Sequence, residues 1–321
     1  MNRGSRIAAL ALALTLGVSA APAFAQDQNI PLPIDSVEYL LSRAPFTLPD
    51  TLVGTRFAGD RTQRVPLFFP DGAAVLVKWA QAPRGGEEFN NNPRYEIAAY
   101  ELQKLFLDHA DYVVPPTIPR MLPEAWYQTV ADNVVPTFRV GQSVMVVLQF
   151  FLYSVTADDV WDEKRFETDS VYARHWADAN LLTYLIDHKD QNKGNLLISR
   201  YPENPRVFSV DNGVAFRSRR SDRGSRWSRL QVKRFAHATV DRLRALSRED
   251  LQQALGVMAQ YKLQGDQLVP TEPTENWDPN SGIRQRDDGV QIGLTEAEIG
   301  DVWNRIGDFL ENVDEGKLKV F

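Results

Sequence analysis

Short apolar runs separated by turn residues dominate the chain between residues 51 and 148. The runs at 65–69 and 73–79 are β-rich and flank a Pro-Asp-Gly triplet at 70–72, a combination that predicts a β-hairpin. The run at 143–151 is almost wholly apolar, which is typical of a strand buried on both faces. This part of the chain is therefore predicted to be rich in strands.

One helix interrupts the strand-rich region. Asn92 followed by Pro93 is an N-cap and first-turn pair, and the residues after it, 95–107, have apolar positions at helical spacing. Beyond Tyr153 the periodicity becomes helical, and it predicts a long helix over 172–186.

Cap signals predict two more helices towards the C-terminus. Ser247 with the acidic residues after it caps one of them. Thr295 and Glu298 form a capping box for a last helix that runs through Leu310. The polar stretch 271–289, rich in Pro, Asn and Gly, is predicted to be a long loop or a partly disordered linker.

A strand-rich half followed by a helix-rich half predicts an α+β protein in two lobes. The expected N-lobe covers residues 26–150 and contains one helix, and the expected helical C-lobe covers 151–321. The boundary between them is expected near 149–154, where the apolar strand ends.

The first 25 residues have a different pattern from the rest. Arg3 and Arg6 precede an apolar run at 7–18, and small residues end in Ala-Phe-Ala at 23–25. This order is typical of a secretory signal peptide cleaved after Ala25, whereas a buried N-terminal helix is the alternative. We therefore expect an exported protein, periplasmic or secreted.

Composition and charge narrow the classes of partner. The chain has 321 residues with a formal net charge of -6, and signal cleavage would make it more acidic, so global charge gives no support for nucleic-acid binding. Cysteine is absent, which excludes disulfides, thiolate catalysis, Cys-ligated zinc and a Cys-linked lipid anchor. The later segments are not apolar enough to span a bilayer, so we expect no stable membrane anchor.

Three polar residues of the second half could build a phosphoryl-transfer site. Asp190 and Asn195 share one loop, and Asp211 follows an apolar run at 207–210. If 196–198 and 207–210 form a hairpin, Asn195 and Asp211 lie at the same end of it, where a hard cation such as Mg²⁺ could bind between them and phosphate oxygens. An Asx-rich surface turn, or a hairpin turn at 211–213, is the alternative.

Lys78 and Glu96 add a possible ion pair from the first half. Lys78 lies in the apolar strand Val-Leu-Val-Lys-Trp, and Glu96 lies eighteen residues later in the first turn of the predicted helix. Each has an ordinary explanation, a solvated edge-strand lysine and an acid favoured by the helix dipole. A pair between them would orient the ammonium group in a cleft.

These motifs resemble the protein-kinase-like superfamily. His-Lys-Asp with Asn five residues after the Asp, then Asp-Asn-Gly, is similar to the kinase catalytic loop and its metal-binding Asp-Phe-Gly motif. The resemblance implies that Asp190 is the catalytic base, that Asn195 and Asp211 bind metal, and that Lys78, oriented by Glu96, binds the α- and β-phosphates of ATP. It also implies Mg²⁺ or Mn²⁺ as the metal.

The chain departs from the typical kinase motifs at several positions. Lys189 replaces the usual Arg, which makes activation by phosphorylation doubtful, and Lys193 stands where it could approach the γ-phosphate. Gly54 and Gly59 are the candidates for the loop that covers the nucleotide, although they do not make the regular glycine pattern. The Asp-Asn-Gly-x-x-Phe form of the metal motif is closer to the atypical branch, phosphatidylinositol 3/4-kinase-like and secretory-pathway kinases.

The expected function is ATP-dependent phosphorylation of a hydroxyl, on a protein in the first instance. A basic run over 217–234 is a candidate dock for an acidic protein substrate, the alternative being a solvated loop. Two other functions stay open. The chain could be an inactive nucleotide-binding or interaction module, or it could phosphorylate a small molecule or a lipid headgroup through the same site.

Overall fold

The computed structural model describes residues 29–49, 62–88, 92–131, 134–190, 192–218 and 224–321, and the counts and absences given below refer to these ranges. The predicted signal peptide lies outside the described residues, as do Gly54 and Gly59. None of the helices within the described ranges combines the length and the apolar character needed to cross a membrane.

The first half of the described chain forms one antiparallel sheet with three helices beside it. Its elements are α1 (Ile34–Ser42), β1 (Thr62–Phe68), β2 (Ala74–Gln81), α2 (Pro93–Gln103), β3 (Thr117–Pro123), α3 (Glu124–Tyr127) and β4 (Ser143–Phe150). The strand order is β1-β2-β4-β3. The predicted hairpin is confirmed: β1 pairs with β2, and Gly72 in the turn has a φ of 86°, which glycine adopts without strain.

Strand β4 is buried along its whole length, as its apolar run predicts. Alternate side chains of a strand point to opposite faces of a sheet, so β4 contributes to two separate hydrophobic clusters. Val144, Val146 and Leu148 belong to the main core, whereas Met145 and Val147 belong to a second cluster that includes Tyr261 from the far end of the sequence. Both faces of the sheet are therefore covered by protein.

The second half begins with the segment that follows β4 and contains five of the helices. Its elements are β5 (Val155–Thr156), α4 (Glu163–Thr168), α5 (Ser170–Leu185), β6 (Leu196–Ser199), β7 (Val207–Ser209), β8 (Arg234–Phe235), α6 (His237–Ala245), α7 (Arg248–Leu255), β9 (Ala259–Gln264), β10 (Gln267–Thr271), β11 (Ile283–Arg286), β12 (Gly289–Ile292), α8 (Glu296–Asp314) and β13 (Lys319–Val320). The short strands form a β5-β6-β7 sheet and a parallel β8–β13 pair. The predicted α+β class, with a β-rich lobe before a helical lobe, is confirmed.

Both predicted caps mark real helix starts, and each is a capping box. Ser247 and Asp250 exchange hydrogen bonds at the start of α7, and Thr295 and Glu298 do so at the start of α8. The last helix continues to Asp314, four residues beyond the predicted end.

The prediction of a long loop at 271–289 is wrong over part of its length. Strand β11 lies inside this stretch, and it joins β9, β10 and β12 in a sheet of order β10-β9-β12-β11. The remaining loop is held by buried side-chain amides, since Gln260 accepts a hydrogen bond from the backbone N–H of Thr274 and Gln291 accepts one from Trp277. Composition could not reveal these tertiary hydrogen bonds, because it registers only the polar residues.

The late sheet packs against the first lobe, although it belongs to the second half of the sequence. Tyr261 donates a hydrogen bond to the backbone oxygen of Pro119 in β3, at 2.6 Å. The backbone of the turn before β4 packs against the β9–β10 hairpin, since a Cβ on Gly141 would come 3.1 Å from Leu263. The C-terminal segment therefore reaches back from the second lobe and covers the first.

Candidate active site

Strand β2 and helix α2 place Lys78 and Glu96 against each other. Lys78 is paired in register with Arg64 of β1 and Gln149 of β4, so its position in the middle of the sheet is fixed. Its Nζ lies 3.1 and 3.4 Å from the two carboxylate oxygens of Glu96. The Lys78 side chain is only 17% exposed, which makes this a shielded pair.

Hairpin β6–β7 brings Asn195 and Asp211 to the same end of a small sheet. Leu196 pairs with Ser209, and the N–H of Val210 donates to the carbonyl of Asn195 at 2.9 Å. Asp211, the next residue, has a φ of 56° and a side chain that is 55% exposed. Its carboxylate Oδ1 contacts Lys78 Nζ, so the ammonium group lies between two acids.

The other two residues of the Asp-Asn-Gly triplet fix this turn from within. Asn212 is fully buried, and its Oδ1 accepts a hydrogen bond from the Ser209 hydroxyl at 2.7 Å. Gly213 packs on helix α2, since a Cβ there would lie 3.6 Å from the carboxylate of Glu96. The loop that carries Asp211 is thus in contact with the start of α2.

The loop that carries Asp190 is ordered by hydrogen bonds of its own backbone. The N–H of Asp190 donates to Nδ1 of His188 at 3.2 Å, and the N–H of Asn192 donates to the Asp190 carboxylate at 3.2 Å. Asn195 Nδ2 donates to the carbonyl of Asp190 at 3.4 Å. The N–H of Lys189 donates to Val214 at 2.9 Å, which joins this loop to the segment that follows Asp211.

Burial and charge set the protonation of the groups around Lys78 and Asp211, a region here called the cleft. Burial alone would lower the pKa of Lys78, but the carboxylates of Glu96 and Asp211 outweigh it and raise that pKa above its ordinary value. Burial lowers the pKa of His188 to about 4, against a partial opposing effect of Asp190 and Asp211. At neutral pH the lysine is therefore charged and the histidine is neutral.

The side chain of Lys193 is engaged outside the contacts described so far. Lys193 forms an ion pair with Asp158 at 2.9 Å, and both side chains are largely exposed. Gly54 and Gly59 cannot be placed, since they lie outside the described residues. The structure thus brings Lys78 into contact with both Glu96 and Asp211, and it sets Asp190 and Asn195 in one adjoining loop.

The donor set around Asp211 fits a divalent cation that is held partly by its substrate. Within the described residues no group of three His, Cys, Asp or Glu side chains could hold a metal by itself. Asp211 and Asn195 offer one carboxylate and one amide oxygen, and Mg²⁺ ordinarily completes such a set with water and phosphate oxygens. The residues present therefore suit a metal that arrives with a nucleotide.

The basic run of 217–234 is only partly described. Arg217 pairs with Asp301 through two hydrogen bonds of 2.6 and 3.0 Å, so its charge is already engaged. Arg226, Arg229 and Lys233 are exposed. Arg219, Arg220 and Arg223 lie outside the described residues.

Sequence reasoning missed three residues that make a buried contact next to the site, between helices α2 and α8. Arg94 and Tyr95 precede Glu96 on α2, and both bind Glu298 of α8 in the protein interior. The capping box had identified Glu298 only as a helix-start residue.

Comparisons with known proteins follow this geometry. No family model matches the chain, and no curated protein matches it. Among solved structures, the chain is similar to hydra Fam20 solved with a sugar, at 15% identity and a TM-score of 0.51, over 90% of this chain and 92% of that one. A MAP kinase from Leishmania major also matches, at 12% identity and a TM-score of 0.31, over 56% of this chain and 49% of that one.

The match to hydra Fam20 covers nearly the whole of both chains, and it shows that this protein has a protein-kinase-like fold. The predicted resemblance to the protein-kinase-like superfamily is thereby confirmed at the level of the fold.

Proposed function

We propose that this chain is an exported, ATP-dependent phosphotransferase that moves the γ-phosphate to a hydroxyl, in the first instance on a protein. The observation that carries the proposal is the meeting of Lys78 with both Glu96 and Asp211 in one cleft. Phosphate positioning beside a metal uses a lysine held by a helix glutamate, with the acid of an Asp-Asn-Gly turn close to it. The kinase-like fold supports it independently.

Each residue then has a role of its own. Lys78, kept charged by its two acidic neighbours, binds the α- and β-phosphates, and Glu96 holds it in place. Asp211 and Asn195 would hold Mg²⁺ or Mn²⁺. The metal, when bound, neutralises charge on the phosphates. Asp190 orients the acceptor hydroxyl and accepts its proton.

Lys78 and Asp211 must separate for this role. Their contact lets the ammonium occupy the position that a cation would take beside the carboxylate. With a divalent metal and ATP bound, Asp211 would keep a positive partner, and Lys78 would pair with the phosphates and Glu96. The half-exposed position of Asp211 allows this exchange from the solvent side.

The choice of acceptor rests on weaker observations. Exposed Arg226, Arg229 and Lys233 would favour an acidic protein substrate. The hydra Fam20 structure was solved with a sugar, so carbohydrate hydroxyls belong among the acceptors tested. The export signal proposed for residues 1–25 is tested by N-terminal sequencing of the exported protein, which should begin at Gln26.

The test of the proposed function is transfer of radiolabel from [γ-³²P]ATP by purified protein lacking residues 1–25. We expect label on protein or carbohydrate acceptors that requires Mg²⁺ or Mn²⁺ and is lost in Asp190→Ala and Asp211→Ala. Asp241→Ala is the matched control, because Asp241 is an exposed acid on α6 whose ion-pair partner is Arg244 of the same helix. Nucleotide binding without any transfer would instead identify a binding module.

A further inference from the structure

Helix α2 is almost wholly buried. Ten of its eleven residues are buried, and they include Arg94 and Glu96. The sheet of the first lobe covers one side of the helix, and helix α7 packs on another. A buried helix that carries one half of the Lys78–Glu96 pair cannot change its tilt without disturbing the segments around it.

The contact between α2 and α8 is a buried, bidentate ion pair. Arg94 Nη1 lies 2.6 Å from Glu298 Oε2, and Arg94 Nη2 lies 2.8 Å from Glu298 Oε1. The hydroxyl of Tyr95 donates a third hydrogen bond to Glu298 Oε1 at 2.6 Å. Bidentate arginine–carboxylate pairs fix orientation as well as distance, so this contact defines how α2 sits on α8.

The Glu298 side chain is also fixed by a contact within its own helix. It is the third residue of α8, and its Oε2 accepts the N–H of Thr295 at 2.8 Å in the capping box. Burial acts to raise the pKa of Glu298, but the hydrogen bonds from Arg94 and Tyr95 outweigh it and lower that pKa. The carboxylate is therefore charged and presented to α2 by the start of a rigid helix.

A glycine makes room for the arginine on the C-terminal side. A Cβ on Gly282 would come 2.5 Å from Cζ of Arg94, which is closer than any real carbon contact. The guanidinium group thus lies flat against the backbone just before β11. This close approach is a second, independent sign that the C-terminal segment is shaped to receive Arg94.

Arg94 and Tyr95 are each close to a residue of the cleft or of the segment that follows it. Residues two apart on a helix point about 200° from each other, so Arg94 faces α8 while Glu96 faces Lys78. The ring of Tyr95 packs on Phe216 with centroids 5.2 Å apart, and Phe216 lies five residues after Asp211. Displacing Glu298 is therefore expected to act on the cleft through the lysine–glutamate pair, because Phe216 itself is not a residue of the site.

We propose that Arg94, Tyr95 and Glu298 are positioning residues, here called the clamp, through which the C-terminal segment holds α2 so that Glu96 stays on Lys78. The inference rests on the proposed function for its effect on nucleotide, but not for its effect on the helix. In this arrangement helix α8 supports the nucleotide site indirectly, because Glu298 holds helix α2 in place.

The test compares Glu298→Gln with Asp314→Asn. Both remove one charge from α8, but Asp314 pairs with Arg244 of α6 at the far end of the helix. In nucleotide-free protein we expect amide hydrogen exchange over 93–103 to rise about tenfold or more in Glu298→Gln and to stay unchanged in the control. The dissociation constant for Mg-ATP should rise about tenfold in Glu298→Gln and less than about twofold in the control.

A double-mutant cycle separates positioning from general loss of stability. If the clamp acts through the Lys78–Glu96 pair, Glu298→Gln should weaken Mg-ATP binding by less than about twofold once Lys78→Met is present. A full tenfold loss in that background would overturn the proposal. So would unchanged exchange over 93–103 in Glu298→Gln.

A milder variant and the exchange experiment separate failure of this proposal from failure to fold and from failure of the proposed function. If Glu298→Gln does not fold, Tyr95→Phe removes only the hydroxyl and keeps the packing on Phe216, and it should change exchange and affinity in the same direction by a smaller factor. If the unmodified protein does not bind Mg-ATP at all, the proposed function fails, and the exchange experiment still decides whether the clamp holds α2.

Discussion

Lys78 forms ion pairs with two acids of the cleft. It lies between a buried carboxylate on α2 and a half-exposed carboxylate on the Asp-Asn-Gly turn. Two acids so close together repel each other unless a cation separates them. The lysine is therefore needed both for the integrity of the cleft and for phosphate binding.

Replacing Lys78 by Met removes this cation while keeping the length of the side chain. We expect Mg-ATP affinity to fall by about tenfold or more, since a charge-assisted contact to phosphate is lost. Isothermal titration calorimetry measures the change. Lys262→Met, an exposed lysine on strand β9, is the matched control and should bind as the unmodified protein does.

Loss of Asp190 should impair turnover, whereas loss of Asp211 should impair metal-dependent binding of the nucleotide. Asp190→Asn is expected to keep Mg-ATP binding and to lower turnover by about 10²-fold or more, the usual effect of losing a general base. Asp211→Asn is expected to abolish the dependence of nucleotide binding on metal. Titrations with and without Mg²⁺, beside single-turnover assays, separate the two. Equal loss of binding in both variants would contradict these roles.

The sequence predicted this set of residues but not all of their placements. Spacing along a strand, a helix and a hairpin is local information, and it was sufficient for Lys78, Glu96, Asn195 and Asp211. Lys193 shows the limit of such reasoning, because its position in the loop was predictable and its pairing with the distant Asp158 was not.

Among the elements, helix α5 carries an acid that does not serve the cleft. Asp178 is buried, and the Thr239 hydroxyl donates to it at 2.8 Å. Burial raises the pKa of Asp178 to about 7, well above its value of 3.8 in an unfolded chain. The folded protein therefore binds a proton there that the unfolded protein releases.

The sign of the pH effect follows from that difference. The contribution of Asp178 is full below pH 3.8 and is lost progressively as pH rises through about 7, where the carboxyl group must ionise inside the protein. Asp178→Asn cannot ionise, so its melting temperature relative to the unmodified protein should increase by a few degrees between pH 5 and pH 8. Differential scanning calorimetry at both pH values tests this, and a constant difference would contradict it.

Helices with caps and strands with strict apolar runs were the predictable elements. Both capping boxes and the buried strand β4 were identified from local sequence. Strand β11 was missed because Ile283–Arg286 is mostly polar, and its pairing with β12 depends on tertiary contacts. The enclosure of α2 was unpredictable for the same reason.

At the scale of the molecule, the late sheet joins the two halves of the sequence. Tyr261 connects β9 to β3 through one buried hydrogen bond to Pro119. Tyr261→Phe leaves that carbonyl without its partner, so the free energy of unfolding should fall by about 1–2 kcal/mol. Urea denaturation measures it. Tyr39→Phe, at an exposed tyrosine, is the control and should leave stability unchanged.

The bilobal architecture could be predicted from the order of strands and helices, but the path of the chain could not. Residues 259–292 return to the first lobe and form a hydrophobic cluster with Met145 and Val147. The alternation of apolar and polar residues does not reveal this return, because strands of both lobes have the same pattern.

The most direct test of the central claim is a crystal structure of the protein lacking residues 1–25 with Mg²⁺ and a non-hydrolysable ATP analogue. The account predicts Mg²⁺ about 2.0–2.1 Å from oxygens of Asp211 and Asn195, with Lys78 on the α- and β-phosphates and still bound to Glu96. A nucleotide bound away from these residues, or a metal that touches neither Asp211 nor Asn195, would contradict it.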